Sequence, residues 1–347
     1  CASINGTQIG GRRNLMSNGA MNVAQRGTSY SGSSGGYQTV DGVSSDFTGL
    51  DESPTYAQAD VAAGTTPYTL GFRKSLKITN GNQTGGVAAG DRYQLFLKLE
   101  GQDVANSGWN YTSASSFITL SFWVKSSVAQ NFYGYLRTKD GTGQRYAFET
   151  GSLTADTWTK VIKTIPGNSN ITIDNDTGEG FQINLSQYFG TDYTDSGVSL
   201  NAWGAYASGT RTPDQTTTWY TTNDATYEIT GVQLEVGPQA TAFEHRSFGE
   251  ELERCKRYFY RWNSGGTSSE AYFLQSGAYS SHSNSAFFDY TYQPAMRSTP
   301  TATTPSVDNQ NSGSWSLYAT RARWIASATS SGAGAVFTSQ IDFSAEI

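Results

Sequence analysis

His245 and His282 are the only imidazoles in the chain, and they limit the chemistry it could run. A serine or cysteine nucleophile needs a base beside it. Neither histidine stands in a GxSxG turn or a comparable motif. His245 lies in FEHRSFG, ahead of a helical pattern, where a structural hydrogen bond or a helix-entry role is the expected one. His282 lies in a Ser-rich loop and is expected to face solvent. The acid pairs Glu100/Asp103, Asp174/Asp176 and Glu250/Glu251/Glu253 are the other candidates for catalysis. Glycoside hydrolysis needs two carboxyl groups facing each other across a cleft, and closeness in sequence does not supply that. The last set is accounted for by a helix dipole. The residues therefore point away from an enzyme.

Metal binding has one candidate. Asp174-Asn175-Asp176-Thr177-Gly178-Glu179 gathers hard oxygen ligands around a glycine, as calcium loops do. It lacks the twelve-residue EF-hand pattern and its flanking helices. Asp and Asn favour turns for their own hydrogen-bonding reasons, so calcium at Asp174 and Asp176 competes with a plain turn.

Sugar binding is the sharper hypothesis. Ligand sites combine apolar walls with a few placed polar groups, and flat aromatic rings suit the apolar faces of sugars. Segment 203–224 has that mixture in Trp203, Tyr206, Arg211, Asp214, Gln215, Trp219 and Tyr220. Trp109 and Tyr111, in a Gly/Ser loop, form a second candidate. The alternative for each aromatic is a place in the core, where large rings are mostly found. Near the C-terminus, Tyr279, His282, Trp315 and Trp324 sit in or beside loops. They could form a receptor-reading surface or a subunit interface, since aromatics are enriched at binding hot spots in general.

The elements that must hold these residues are mostly strands. From about Thr55 the chain repeats an alternating apolar and polar run followed by a Gly/Asn/Asp turn. Phe117–Lys125 puts Ile118, Leu120, Phe122 and Val124 on one face. Asn80-Gly81 reads as a tight turn and Asp140-Gly141 as a hairpin. A Gly/Ser-rich stretch at Tyr30–Tyr37 reads as too flexible to pack. About ten strands with no helix between them predict antiparallel pairing in a β-sandwich, most simply a jelly roll. At Phe248 the pattern changes to a helix over Gly249–Arg261. Leu252, Cys255, Tyr258 and Phe259 fall at helical spacing, with acids early and bases late. So short a stripe needs tertiary or subunit packing. Short strands then resume to the end. The expected organisation is a lead-in over 1–13, a jelly roll over 14–247, and a helix plus β-rich tip over 248–347.

The bulk numbers fit this. The chain has 347 residues, with 21 Tyr, 17 Phe and 8 Trp but only 15% charged residues, a composition suited to sheets rather than disorder. Net charge is −6 and Lys/Arg clusters are small, so a nucleic-acid groove is not expected. No apolar run approaches the roughly 20 residues of a membrane span. Cys1 and Cys255 are the only cysteines, too few for a disulfide framework. The start at Cys1 reads as a cut from a longer chain.

Several phrases, in order along nearly the whole chain, resemble virion proteins of tailed phages, above all tail-fibre and related appendage proteins. They are GRRNLMSNGAMNVAQRGTS at 11–29, YEITGVQLEVG at Tyr227–Gly237, FEHRSFGEELERCKRYFYR at 243–261, YQPAMRSTPT at 292–301 and the closing IDFSAEI. The resemblance implies a jelly roll like those of carbohydrate-binding modules, then a β-rich tip, in a homotrimer displayed on the virion. It implies as partners other virion proteins and a host-surface glycan or receptor. One departure is Gly42 after the YQTVD phrase, where an arginine or aromatic is expected. The alternatives are a purely structural decoration protein of capsid or tail, and a polysaccharide-degrading tailspike.

Overall fold

The computed structural model describes residues 3–4, 7–8, 13–32, 34–263, 272–275, 285–303, 308–309, 313–327, 335–337 and 340–347. The chain is mainly β and divides into two compact units, Cys1–Glu251 with Ile347, and Leu252–Glu346.

In the first unit, β1 (Ser3–Ile4) and β2 (Thr7–Gln8) pair with each other. Then follow β3 (Ser29–Ser31), β4 (Gly36–Tyr37), β5 (Val43–Thr48) and β6 (Thr55–Asp60). The turn-length helix α1 (Thr66–Thr69) precedes β7 (Lys74–Thr79) and β8 (Arg92–Glu100), and α2 (Gly101–Ala105) precedes β9 (Phe117–Ser126). Next come β10 (Asn131–Thr138), β11 (Gln144–Ser152), β12 (Thr159–Pro166), β13 (Glu179–Phe189) and β14 (Trp203–Ala205). The helical turn α3 (Thr218–Thr221) and β15 (Thr226–Val236) complete the set. They form two antiparallel sheets, a seven-stranded one in the order β14-β11-β10-β13-β8-β5-β4 and a six-stranded one in the order β12-β9-β15-β7-β6-β3.

Alternation explains the sandwich. On β8, Tyr93, Leu95, Leu97 and Leu99 are buried in one apolar cluster; on β9, Ile118, Leu120, Phe122 and Val124 join it; on β13, Phe181, Ile183 and Leu185 do. Side chains at every second position face one way in a strand, so each sheet contributes one apolar face and the two faces meet. Near its midpoint β15 carries a bulge between Thr230 and Gln233. Gly231 sits there at φ +64°, and a Cβ on it would lie 2.7 Å from the Phe72 ring, so only glycine fits. Beyond the bulge β15 no longer pairs β7, and residues 14–19 take over. Leu15 donates to the Leu234 carbonyl, Val232 donates to that of Gly19, and the Asn14 amide bridges Val232 and Leu234.

The structure corrects several expectations. Asn80-Gly81 does not form a tight turn, and β7 and β8 on either side lie in different sheets; the Asn80 amide instead donates to the Tyr220 carbonyl at 2.7 Å. The Gly/Ser stretch at 30–37 is not merely a loose loop, since it carries part of β3 and all of β4. Asp140-Gly141 does close the β10–β11 hairpin.

The helix is shorter than expected. α4 spans Phe248–Lys256, opened by a capping box in which Ser247 and Glu250 bond each other's backbone amides. Tyr258 lies past its end, and Phe259 starts β16 (Phe259–Asn263). The run FYRWN alternates and is rich in aromatics, which favours strand over helix. In the second unit there follow β17 (Tyr272–Gln275), β18 (Ser285–Thr291), β19 (Thr301–Thr303), β20 (Asp308–Asn309), β21 (Gly313–Leu317), β22 (Arg321–Ser327), β23 (Ala335–Phe337) and β24 (Gln340–Ser344). They make three three-stranded sheets, β16-β24-β19, β17-β23-β20 and β18-β22-β21. Tyr292, Met296, Ile341 and Phe343 are buried together there, and Arg261 holds Asp342 through two bonds of 2.7 and 2.6 Å.

Candidate functional site

The site starts from a short edge strand. β14 pairs β11 with Tyr146 opposite Trp203 and Arg145 opposite Gly204. The Trp203 indole is fixed by two contacts. Its Nε1 donates to the Pro166 carbonyl at 2.7 Å, and its ring meets Tyr146 edge-on at 5.3 Å between centroids. That leaves the half-buried ring as one wall of a pocket of about 510 Å³. The β10–β11 hairpin contributes Thr142 and Gln144, and the loop after β12 contributes Asn168, Ser169, Asn170 and Thr172. Asn168 shapes that loop, since its Oδ1 accepts the Asn170 amide at 2.8 Å. The Gln144 amide donates to the Thr142 carbonyl at 3.0 Å. The lining is one aromatic wall with amides and hydroxyls, and no ionisable side chain is among it. A smaller hollow of about 170 Å³ lies over the six-stranded sheet, walled by Phe72, Trp123, Phe243 and His245.

Tyr206 and Arg211 come to the outer face of the seven-stranded sheet. The Arg137 guanidinium carbon lies 3.6 Å from the centroid of the Tyr206 ring. Arg211 lies 4.5 Å from that of Tyr193, while its Nε donates to the Ser208 carbonyl. Arg92 makes two bonds to Asp46, of 2.7 and 3.0 Å, and donates to the Tyr193 hydroxyl. Burial would raise Asp46, but bonds from Arg92 and Gln94 and the Arg92 charge outweigh it and hold the carboxyl below its ordinary range. Asp214 is exposed and accepts from Thr194. Gln215 braces the same loop by donating to Ser186 and Thr212.

Three predicted ligand aromatics are core residues instead. Trp219 is fully buried, edge-on to Tyr93 at 5.7 Å, with Nε1 donating to the Thr226 carbonyl. Tyr220 is likewise buried, stacked on Tyr188 at 4.6 Å and donating to the Gly49 carbonyl. α3 tucks both inward, and a buried ring with a satisfied polar tip is the low-energy place for such residues. Trp109 is buried against Phe181; Tyr111 beside it is half-buried, with its ring 6.2 Å from that of Trp109.

Asp174 and Asp176 are exposed. Asp176 Oδ1 accepts from the Gly178 amide, and the Asp174 amide donates to Asp140. Among the described residues no group of three or more His, Cys, Asp or Glu side chains is placed to hold a metal ion. Burial pushes the Asp140 carboxyl up, a backbone bond from Asp174 opposes this, and the charges of Asp174, Asp176 and Glu179 add to the rise. His245 donates from Nε2 to the Leu70 carbonyl at 2.8 Å and packs on Phe72 and Phe243, a structural role. Cys255 and Phe259 are buried by the chain's own atoms, so they do not form an exposed assembly stripe; Leu252 and Tyr258 are half-buried. Tyr279 and His282 lie outside the described residues. Trp315 and Trp324 sit directly opposite each other on β21 and β22.

Sequence reasoning missed Arg137, Arg145, Tyr135 and Tyr193, because it searched loops for ligand residues. Strand parity was the available signal. With Phe132 and Leu136 inward on β10, Tyr135 and Arg137 must point outward.

No protein-family model matches the chain, and no curated protein matches it. Among solved structures it is similar to the enzymatically active domain of tailspike protein 4 of bacteriophage CBA120, at TM-score 0.31 and 11% identity over 64% of this chain. That match spans 21% of the tailspike chain, so this chain corresponds to about a fifth of it. It is also similar to the N-terminal cellulose-binding domain of Cellulomonas fimi β-1,4-glucanase C, at TM-score 0.28 and 10% identity, over 57% of this chain and 90% of that one. A third similarity is to the family 11 carbohydrate-binding module from Clostridium thermocellum, at TM-score 0.27 and 12% identity, over 68% and 100%. Each likeness is distant, and none assigns a role to a residue of this chain.

Proposed function

We propose that the chain is part of a tailed-phage appendage whose sandwich holds a host-surface glycan without cleaving it. The observation that carries the glycan reading is the pocket beside Trp203, one indole wall facing amides and hydroxyls with no carboxyl or imidazole in the lining. Such a lining can stack on a sugar ring and bond its hydroxyls, and it lacks the paired carboxyls that hydrolysis requires. The virion assignment rests on the phrases at 11–29, 227–237, 243–261 and 292–301. In this reading three chains assemble, each contact is weak, and linkage raises avidity by roughly 10²–10⁴-fold. Calcium at the Asp174 turn is not needed for it.

The test is a glycan array with the purified chain, repeated with Ser169→Tyr. Ser169 is exposed on the pocket rim, so the new ring fills the pocket without disturbing the core. Binding lost in the variant supports the site, and unchanged binding removes it. Release of reducing ends from a bound polysaccharide overturns the non-catalytic reading. Mass in solution checks the trimer, which a monomer at micromolar concentration contradicts.

A further inference from the structure

The outer face of the seven-stranded sheet carries three arginines, Arg137, Arg145 and Arg211, that form no ion pair among the described residues. Arg137 on β10 is directly opposite Arg145 on β11, and Gln182 on β13 is opposite Arg137 on its other side. Directly opposed residues of an antiparallel pair share a face, and like charges there are destabilising. Neither arginine has an ion pair among the described residues. Arg145 donates to the carbonyls of Thr210 and Arg211, but its Nε is buried without an acceptor. The Arg137 side chain makes no hydrogen bond among the described residues, and its Nε is also buried without an acceptor. Among the described residues its close contact is the Tyr206 ring, with the guanidinium carbon 3.6 Å from the ring centroid. A guanidinium immobilised in that way keeps its planar fork of donors set for a planar acceptor.

Arg211 joins them from the loop that crosses this face. It lies over Tyr193 and Phe189 and bonds only a backbone carbonyl. Tyr135 links the groups, with its ring 6.2 Å from that of Tyr206 and 6.4 Å from that of Phe189. Burial pushes the Tyr135 phenol up, and the charges of Arg211 and Arg137 both act against that rise. The carboxylates of the same face are engaged elsewhere. Asp46 is bonded by Arg92, with the Arg211 charge acting on it without an ion pair; Glu179 is held by Lys98 and Lys139, Glu149 by Asn131, and Glu100 by Gln102. In a chain of net charge −6, Arg137 and Arg211 set on aromatic rings, with Arg145 opposite Arg137 and none of the three in an ion pair among the described residues, mark an anion-binding surface.

We propose that this face recognises an acidic saccharide, one bearing a carboxylate, with Arg137 forking the carboxylate and the Tyr206 edge beside it meeting the sugar. This rests on the glycan reading above and names the class of glycan. Binding of trigalacturonate to the full chain is compared with binding of its methyl ester, which keeps the sugar and masks the charge. The acid binds about tenfold or more tighter, and the difference shrinks as salt rises. Arg137→Gln removes most of the difference, and Arg137→Lys, which keeps the charge but not the fork, restores part of it. Equal binding of acid and ester overturns the proposal, as does an undiminished difference in Arg137→Gln. Displacement of trigalacturonate by an equal concentration of inorganic phosphate overturns its saccharide part. Neutral glycans bound through the Trp203 pocket with no preference for acid leave the earlier reading standing and remove this one. No binding to any glycan removes both.

Discussion

The two outer faces of the sandwich handle charge in opposite ways. Over the six-stranded sheet each buried charge has a protein partner. Glu228 pairs with Lys125 at 2.9 Å and accepts from Ser75. Glu235 accepts from the amide and hydroxyl of Thr241. Arg246 reaches both Glu244 and Glu251 at 2.8 Å and donates to the carbonyls of Asn14 and Met16, while Glu251 also accepts the Asn18 amide. The segment 238–247 lies there like a fitted cover, fastened to residues 13–16 beside β15. Over the seven-stranded sheet, Arg137, Arg145 and Arg211 form no ion pair among the described residues, and Asp46, the carboxylate on which the Arg211 charge acts, is bonded by Arg92. A saturated network holds structure, whereas an unsaturated one of fixed geometry is available to a ligand.

That contrast can be broken most forcefully at Arg246. Arg246→Ala takes the cation from buried Glu251 and half-buried Glu244, which keep only backbone amide donors, and removes a donor from two carbonyls; it is expected to cost about 3–5 kcal/mol in urea unfolding. A loss below about 1 kcal/mol would mean that the cover is not fastened as described. Trp219→Ala, a core cavity rather than a lost ligand contact, is expected to cost a similar 3–5 kcal/mol.

Acid gives the next largest effect. For Glu244, burial raises the carboxyl, but amide bonds from Asn14 and Arg13 together with Arg246 lower it overall. Asp46 is lowered as well. A carboxyl depressed in the folded state stabilises fully above its ordinary value near 4, and the benefit is lost as pH falls through the folded value. The thermal midpoint should therefore be flat from about pH 6 to 8 and fall below about pH 4. Glu244→Gln should flatten part of that fall. A midpoint that rises on acidification would contradict the sign.

The smallest effect is expected on the other face. Arg137→Gln should change stability by no more than about 0.5 kcal/mol, because it breaks no side-chain hydrogen bond and the lost Tyr206 contact is offset by relief of repulsion from Arg145. A loss near 2 kcal/mol would make Arg137 structural and erase the contrast between the faces.

The sandwich was legible in the sequence because alternation on stretches such as Phe117–Lys125 fixes which residues face inward, whatever partners they find. The site was less legible. Trp203 and Tyr206 were found as part of an aromatic cluster, but Trp219 and Tyr220, thirteen or so positions further on, share the same composition and are core. Only the chain path separates them, since β14 is an edge strand and α3 turns inward. The helix was over-read for a related reason. Phe259 satisfies a helical spacing and a strand alternation equally well, and its pairing with Ser344 on β24 decides between them, leaving Tyr258 in the turn before β16. Asn168 and Gln144 carried no sequence signal, because their role depends on two loops meeting beside β14.

The most direct test is calorimetric titration of the purified chain with glycans that bind on the array, run in parallel with Ser169→Tyr. The account predicts saturable binding with no release of reducing ends, weakened about tenfold or more when the pocket is filled. Binding that Ser169→Tyr leaves unchanged, or cleavage of the bound glycan, would contradict it.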